Sequence, residues 1–359
     1  METIVNTKHE LTDMLQINKM EAFAPKDRKT AEAFAELKRG VYAALETYSN
    51  VHRGSGHNSM VSTHLFDQAR DIVLEYLGLN KDKYKVIFCT PRRAELLKAL
   101  LEAGSYQSVS SEDIGLSLGI RALAVENKAL PSGIPYQTGG GTARLVSPAW
   151  VIWGNAPDKF EAGTPAIINI ITFAKALRLI QHYGIDTFQY PTTEKLAATE
   201  ILYHDELDKY SGRELLDEFR QTLIGRNVRV PTEEGTKPYI NLDNGASTPT
   251  FTPVWDAVWQ TWRQSRQVQQ EIIHEVKSIC AGVLGAPLAA YDVIFTSNTT
   301  EAINLAAENL RNESEQEFEP VVLNTLLEHN SNELPWRMVP GISLIRLPVD
   351  TEGLSLIHI

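Results

Sequence analysis

The sequence predicts an α/β fold. Short apolar runs rich in β-formers alternate along the chain with longer segments of helical period. At Val293-Ile294-Phe295 one such run passes through a polar turn, Thr296 to Thr300, straight into a helical segment. The 359 residues, 43% hydrophobic and 22% charged, suffice for two or three domains with real cores. A formal net charge of -11 argues against general nucleic-acid affinity. Cys89 and Cys280 suit a reducing compartment and offer no disulfide framework. The first residues, METIVNTKHELTDML, are not a basic region followed by an apolar one, and no apolar run approaches the ~20 residues of a membrane span. A cytoplasmic protein without membrane contact is expected.

Taken in order, residues 1–39 are polar and helical in pattern, with Pro25 as a break and one amphipathic helix over Ala31 to Leu45. Residues 49–64, SNVHRGSGHNSMVSTH, read as a loop. The spacing of His52, His57 and His64 matches no metal pattern, so a solvated or substrate-edge loop is expected and no metal. Helices are predicted over Phe66 to Leu77 and Ala94 to Leu101, with a strand at Val86-Ile87-Phe88 between them. Gly139-Gly140-Gly141 reads as a flexible turn, too isolated to be a nucleotide fingerprint. A strand candidate covers Ala149 to Trp153, a tight turn Phe160 to Pro165, and a helix Ile167 to Tyr183. Two further amphipathic helices fall within 192–224, and Val228 to Pro231 is a short strand.

After the polar stretch Thr232 to Lys237, Tyr239 to Leu242 reads as a strand running into the small polar turn Asp243-Asn244-Gly245-Ala246-Ser247. Helices follow over Val254 to Trp262 and Val268 to Leu284. The turn ending in Asn298-Thr299-Thr300 leads into a helix with Glu301 in its first turn. A helix start after a strand leaves backbone N–H groups unpaired, and the threonine hydroxyls add to them. These residues fit either an anion site, most naturally for phosphate, or an ordinary capped helix. Val321 to Leu323 is another strand, ending at Glu328-His329-Asn330 on the carboxyl edge expected of a parallel sheet, and Ile342 to Leu347 is the last.

An internal repeat links the two halves. ARDIVLEYLGLNKDKYKVIF (69–88) aligns without a gap with VKSICAGVLGAPLAAYDVIF (276–295), pairing Gly78 with Gly285 and Phe88 with Phe295. Beyond the strand the second copy has its threonines, whereas the first has Cys89-Thr90-Pro91-Arg92-Arg93, in which proline removes an N–H and arginines replace both threonines.

Several ordered motifs carry a resemblance. YINLDNGASTP, TSNTTEAINLA and EHNSN-LPW in the second copy, and NVHRG and GGGTARLVSPAWVIWGNAPDKFEAGTPA in the first, together resemble the class V fold of pyridoxal 5'-phosphate (PLP) enzymes, the aminotransferase and cysteine desulfurase group. The resemblance implies a PLP-dependent transferase-like fold of the aspartate aminotransferase type, a large-domain sheet with helices on both faces, here duplicated and incomplete. It implies that Asn298, Thr299 and Thr300 hold the cofactor phosphate, that Thr164 reaches a phosphate across an interface, and that His329 stacks on the cofactor ring. Asn244, Gly245, Ala246, His52 and Arg53 would line the substrate side.

The departures bear on activity. The family's Schiff-base lysine lies in a Ser-x-His-Lys pattern that this chain lacks, and alignment back from GLSLGIRALAV places Asp113 at that position. The expected organisation is a helical extension (1–39), a compressed, degenerate class V module (40–231) and the amino-terminal part of a second module (232–359) that is truncated; the alternative is that the short last strand ends the protein. The expected function is a PLP-dependent class V aminotransferase or cysteine desulfurase-like enzyme acting on an amino acid through a Schiff base, with its lysine missing from this chain. The alternative is a non-catalytic PLP-fold pseudoenzyme that binds a partner or regulatory ligand. A homodimer, or a pseudo-dimer within one chain in which the first copy lends Thr164 to the second, is the expected assembly. Neither Cys89, after a strand, nor Cys280, in a helix, suits a nucleophile on a mobile loop.

Overall fold

A computed structural model describes residues 26–52, 54–189, 195–204, 206–314 and 320–350. Arg53 and residues 1–25 of the expected extension lie outside the described residues. The described chain opens with helices α1 (Lys26–Glu46) and α2 (His57–Tyr76), then strand β1 (Tyr84–Cys89) and helix α3 (Pro91–Lys98). Strands β2 (Tyr106–Ser110), β3 (Arg121–Glu126), β4 (Ala143–Val146) and β5 (Val151–Trp153) lead to helix α4 (Ile167–Tyr183). Short helices α5 (Ala198–Leu202) and α6 (Gly212–Gln221) precede the hairpin β6 (Arg229–Thr232) and β7 (Gly235–Pro238). Helices α7 (Thr252–Trp262), α8 (Arg266–Leu284) and α9 (Thr299–Ser314) follow, and β8 (Val321–Thr325), α10 (Asn330–Met338) and β9 (Ser343–Leu347) close the described chain.

These elements sort into two compact units, each drawn from three stretches of chain. One takes residues 1–78, 110–120 and 167–294, the other 79–109, 121–166 and 295–359. Each therefore contains parts of both modules read from the sequence.

In the first unit α4 packs against α1 and α2 around fully buried Leu37, Leu65, Phe66, Ile170 and Phe173. Each such side chain contributes roughly 1.5–3 kcal/mol on leaving water. Lys175 is buried on α4 and pairs with Glu36 of α1 at 2.7 Å. A second cluster joins α5 to α8 through Ala198, Ile201 and Ile272, and α7 packs on both helices. Helix α8 starts on the Ser265 hydroxyl and stops at Gly285, whose φ of +63° a side chain rarely adopts. Gly78, its partner in the sequence repeat, follows α2 with φ +68°.

In the second unit β1 lies antiparallel to β3, from Tyr84 opposite Glu126 to Cys89 opposite Arg121, in a sheet ordered β1-β3-β2. Ile87, Cys89, Leu123 and Val125 of this sheet pack with Ala94 and Leu97 of α3 and with Phe160. Strands β8 and β9 form a separate parallel pair, Val321 opposite Ser343 to Thr325 opposite Leu347. Helices α9 and α10 pack against one another.

The architecture is mixed α/β, with three expectations corrected. In place of one large sheet, the described residues hold a three-stranded sheet and three two-stranded pieces. Val293-Ile294-Phe295 and Tyr239 to Leu242 are not strands: among the described residues neither segment joins a sheet, the Tyr239 N–H making only a single backbone bond to the Val228 carbonyl at 2.9 Å, and Ile294 and Leu242 are 66% and 93% exposed. The loop read over 49–64 is helical from His57, because small polar residues there are buried and bonded to backbone rather than solvated. Ser59 donates to the Asn50 carbonyl at 2.8 Å, and the Ser49 N–H donates to the Ser62 hydroxyl at 3.0 Å.

Candidate anion-binding site

The polar turn before α9 is built as a helix cap, and the cap reaches beyond its own helix. Asn298 Oδ1 accepts the Glu301 N–H at 2.9 Å, while Asn298 Nδ2 donates to the carbonyls of Thr164 (2.9 Å) and Ala162 (3.3 Å). One side chain thus caps α9 and clamps the Ala162-Gly163-Thr164 loop beside it. Among the described residues the N–H groups of Thr299 and Thr300 have no acceptor. Thr299 is exposed, and Thr300 is buried. Two free N–H groups, an adjacent hydroxyl and the positive end of a 16-residue helix can bind an anion.

Two glycines permit this closeness. At Gly163 (φ +84°) a Cβ would fall 2.4 Å from Asn298 Oδ1. At Gly139 (φ +146°) it would fall 2.3 Å from the Thr300 methyl and 3.4 Å from Ser331 Cα. The glycine triplet, read from sequence as a flexible turn, is instead a close-packed strap over the start of α9. It is pinned by Asn304, whose Nδ2 donates to the Thr138 carbonyl at 2.8 Å, and by Gly140, whose carbonyl accepts the Gly163 N–H at 2.7 Å.

Beneath the turn lies a buried charged node that sequence reasoning missed. Glu301 Oε2 accepts from the Ser297 hydroxyl (2.6 Å) and N–H (2.9 Å), and its Oε1 accepts from the Thr90 hydroxyl at 2.9 Å. Arg93 stands 3.7 Å from the same Oε1 and donates to Gln137 Oε1 at 2.7 Å. Arg93 and Glu301 are only 4% and 5% exposed. Burial by itself pushes the Glu301 carboxyl up, but the Ser297 bonds, the Arg93 charge and the Thr90 hydroxyl outweigh it and hold the group below the ordinary carboxylate range. Nearby, burial and then the Glu161 carboxylate push the Cys89 thiol up to about 12. The available signal was the Thr-Pro-Arg-Arg run itself, arginines standing where the repeat has threonines.

His329 lies in the same unit, after β8. It caps α10, its Nδ1 accepting the Ser331 N–H at 3.2 Å and lying 2.7 Å from the Ser331 hydroxyl. That bond puts the ring proton of the neutral form on Nε2 and leaves the ring exposed. The structure therefore gathers Asn298, Thr299, Thr300 and the Thr164 loop, and places the His329 segment against Gly139. The other expected residues belong to the first unit. Asn244, Gly245 and Ala246 form an exposed turn closed by the Asp243 carbonyl. His52 has φ +58°, and its Nε2 is 3.6 Å from Asp67. Asp113 closes a tight turn, its carboxylate accepting the Ser110 N–H at 2.9 Å. No cluster of three or more metal-ligating side chains occurs among the described residues, and no helix there is long and apolar enough to cross a membrane.

The family model for class-V aminotransferases matches residues 115–228 and 240–358, more than half of the chain. This chain belongs to that family. The class V chain is similar to a probable cysteine desulfurase of Vibrio cholerae, 26% identical over 130 residues that cover 32% of each chain. It is 37% identical to a probable cysteine desulfurase of Staphylococcus aureus over 68 residues, 19% of this chain and 16% of the relative. Among solved structures, an apo cysteine desulfurase from Thermococcus onnurineus NA1 aligns with TM-score 0.33 and 18% identity over 54% of this chain and 74% of the other. The match spans about a third of the length of the V. cholerae relative.

Proposed function

We propose that this class V protein binds the phosphate of PLP at the amino end of α9 and belongs to an enzyme of cysteine desulfurase or aminotransferase type acting on an amino acid. The observation that carries the reading is the pair of unpaired N–H groups at Thr299 and Thr300, beside the Thr299 hydroxyl. Thr299 and the two N–H groups donate to the phosphate, Asn298 holds the Thr164 loop in place, and His329 offers an exposed ring to the cofactor. A substrate-side role for Asn244, Gly245, Ala246, His52 and Arg53 rests on the resemblance alone. The clamp from Asn298 to the Thr164 carbonyl supports a pseudo-dimer within one chain, in which a loop of the 40–231 module completes a site of the 232–359 module. A cytoplasmic setting belongs to the same reading.

The fit is good at the phosphate and poor at the aldehyde. Bound PLP supplies an electron sink for amino-acid chemistry, which needs a lysine to hold it. Lys159, just before the Thr164 loop, instead donates to the Pro131 carbonyl at 3.0 Å. Asp113 is tied into its turn and cannot form an imine. We therefore assign this chain phosphate recognition and no covalent step. The same two residues favour a second reading, a PLP-fold pseudoenzyme that binds a partner or regulatory ligand.

The test is to mix the purified protein with PLP, follow binding, reduce with borohydride and map any labelled lysine by mass spectrometry. Retained PLP without a labelled lysine is the expected result. A single labelled lysine overturns the assignment of no covalent step, and failure to retain PLP overturns the cofactor reading.

A further inference from the structure

We propose that Arg93 is a positioning residue for the anion site, the cation that holds the α9 turn and the glycine strap together through Glu301 and Gln137. The proposal rests on the phosphate reading above. In the repeat alignment Arg93 corresponds to Thr300, and Thr90 to Ser297. The stretch that lacks an anion turn of its own thus supports the turn that has one.

The geometry shows how. Glu301 carries the turn on its carboxylate, through both polar groups of Ser297. A buried carboxylate below an anion site would repel the anion and would itself be poorly stable unpaired. Arg93 offsets both effects. Its Nε faces Glu301 Oε1 at 3.7 Å and donates to Gln137, which leads directly into the Thr138-Gly139 strap. The one Nε therefore serves both walls that meet at Thr300 and Gly139, donating to Gln137 and facing Glu301 as a charge. Arg93 Nη2 and Gln137 Nε2, both buried, have no partner among the described residues, so the guanidinium has a donor to spare. Beside it, Arg92 pairs with Glu308 of α9 at 2.5 Å, which fixes α3 along that helix.

The test uses the full chain, with PLP and inorganic phosphate as separate probes. Arg93→Met is expected to weaken PLP about tenfold and to move the phosphorus NMR resonance of bound PLP, which reports contacts at the phosphate rather than fold stability. Arg93→Lys is expected to recover most of the affinity, and inorganic phosphate to follow the same order. Should Arg93→Met fail to fold, the double variant Arg93→Met with Glu301→Gln removes both charges of the pair and is expected to bind PLP less tightly than the unaltered protein. Affinity and resonance equal to the unaltered protein in either variant overturn the role of Arg93 while leaving the phosphate reading intact. An unaltered protein that binds neither probe overturns both.

Discussion

Thr299 is the residue on which phosphate recognition is most exposed to test. Its hydroxyl is at the surface at the amino end of α9, and its N–H has no acceptor among the described residues. Thr299→Val keeps size and the N–H and removes only the hydroxyl. A hydrogen bond to a charged group contributes about 1.5–3 kcal/mol, so PLP affinity by titration calorimetry should fall by about tenfold or more. Melting temperature should hardly change, because the side chain is exposed. Thr300 is a different case, buried with its methyl against Gly139. The sequence marked both threonines as equals, and only packing separates them. Gly139 was legible as a turn residue but not as a close approach, since a glycine triplet says nothing of what lies above it.

At the scale of the element, α9 owes its first turn to a carboxylate that must stay ionised. The folded state holds Glu301 below the ordinary carboxylate value. Its contribution to stability is therefore complete above the unfolded value of about 4.3 and is lost as pH falls through the folded value. Glu301→Gln should flatten that acid limb of a denaturation series. An unaltered slope between pH 5 and the acid transition, with both proteins followed by circular dichroism, would contradict the account. Helices of this kind were largely legible: the Ile167–Tyr183 helix follows its apolar stripe from end to end, as do Thr252–Trp262 and Arg266–Leu284 within a residue or two. Apolar period reports a helix because each helix supplies its own hydrogen bonds. Val293 to Phe295 and Tyr239 to Leu242 have strand composition, yet a strand takes its bonds from a neighbour and composition cannot supply one.

At the scale of the whole molecule, the modules expected from the sequence repeat and the compact units of the structure divide the chain differently. The expected modules are 40–231 and 232–359, whereas the unit containing the candidate anion site takes residues 79–109 and 121–166 along with 295–359. Residues 232–359 expressed alone would leave Asn298 without the Thr164 carbonyl, Glu301 without Arg93 and Asn304 without Thr138. That fragment should show no cooperative thermal transition and no binding of PLP or phosphate. A sharp transition with retained binding would mean that the second module is autonomous.

The Arg93–Glu301 pair also constrains what this stretch of chain can become. The sequence repeat aligns Arg93 with Thr300, so making residues 89–93 resemble the turn before α9 would begin with Arg93→Thr. That one step would strand the Glu301 carboxylate beneath the α9 turn. Any such change has first to supply Glu301 with another cation.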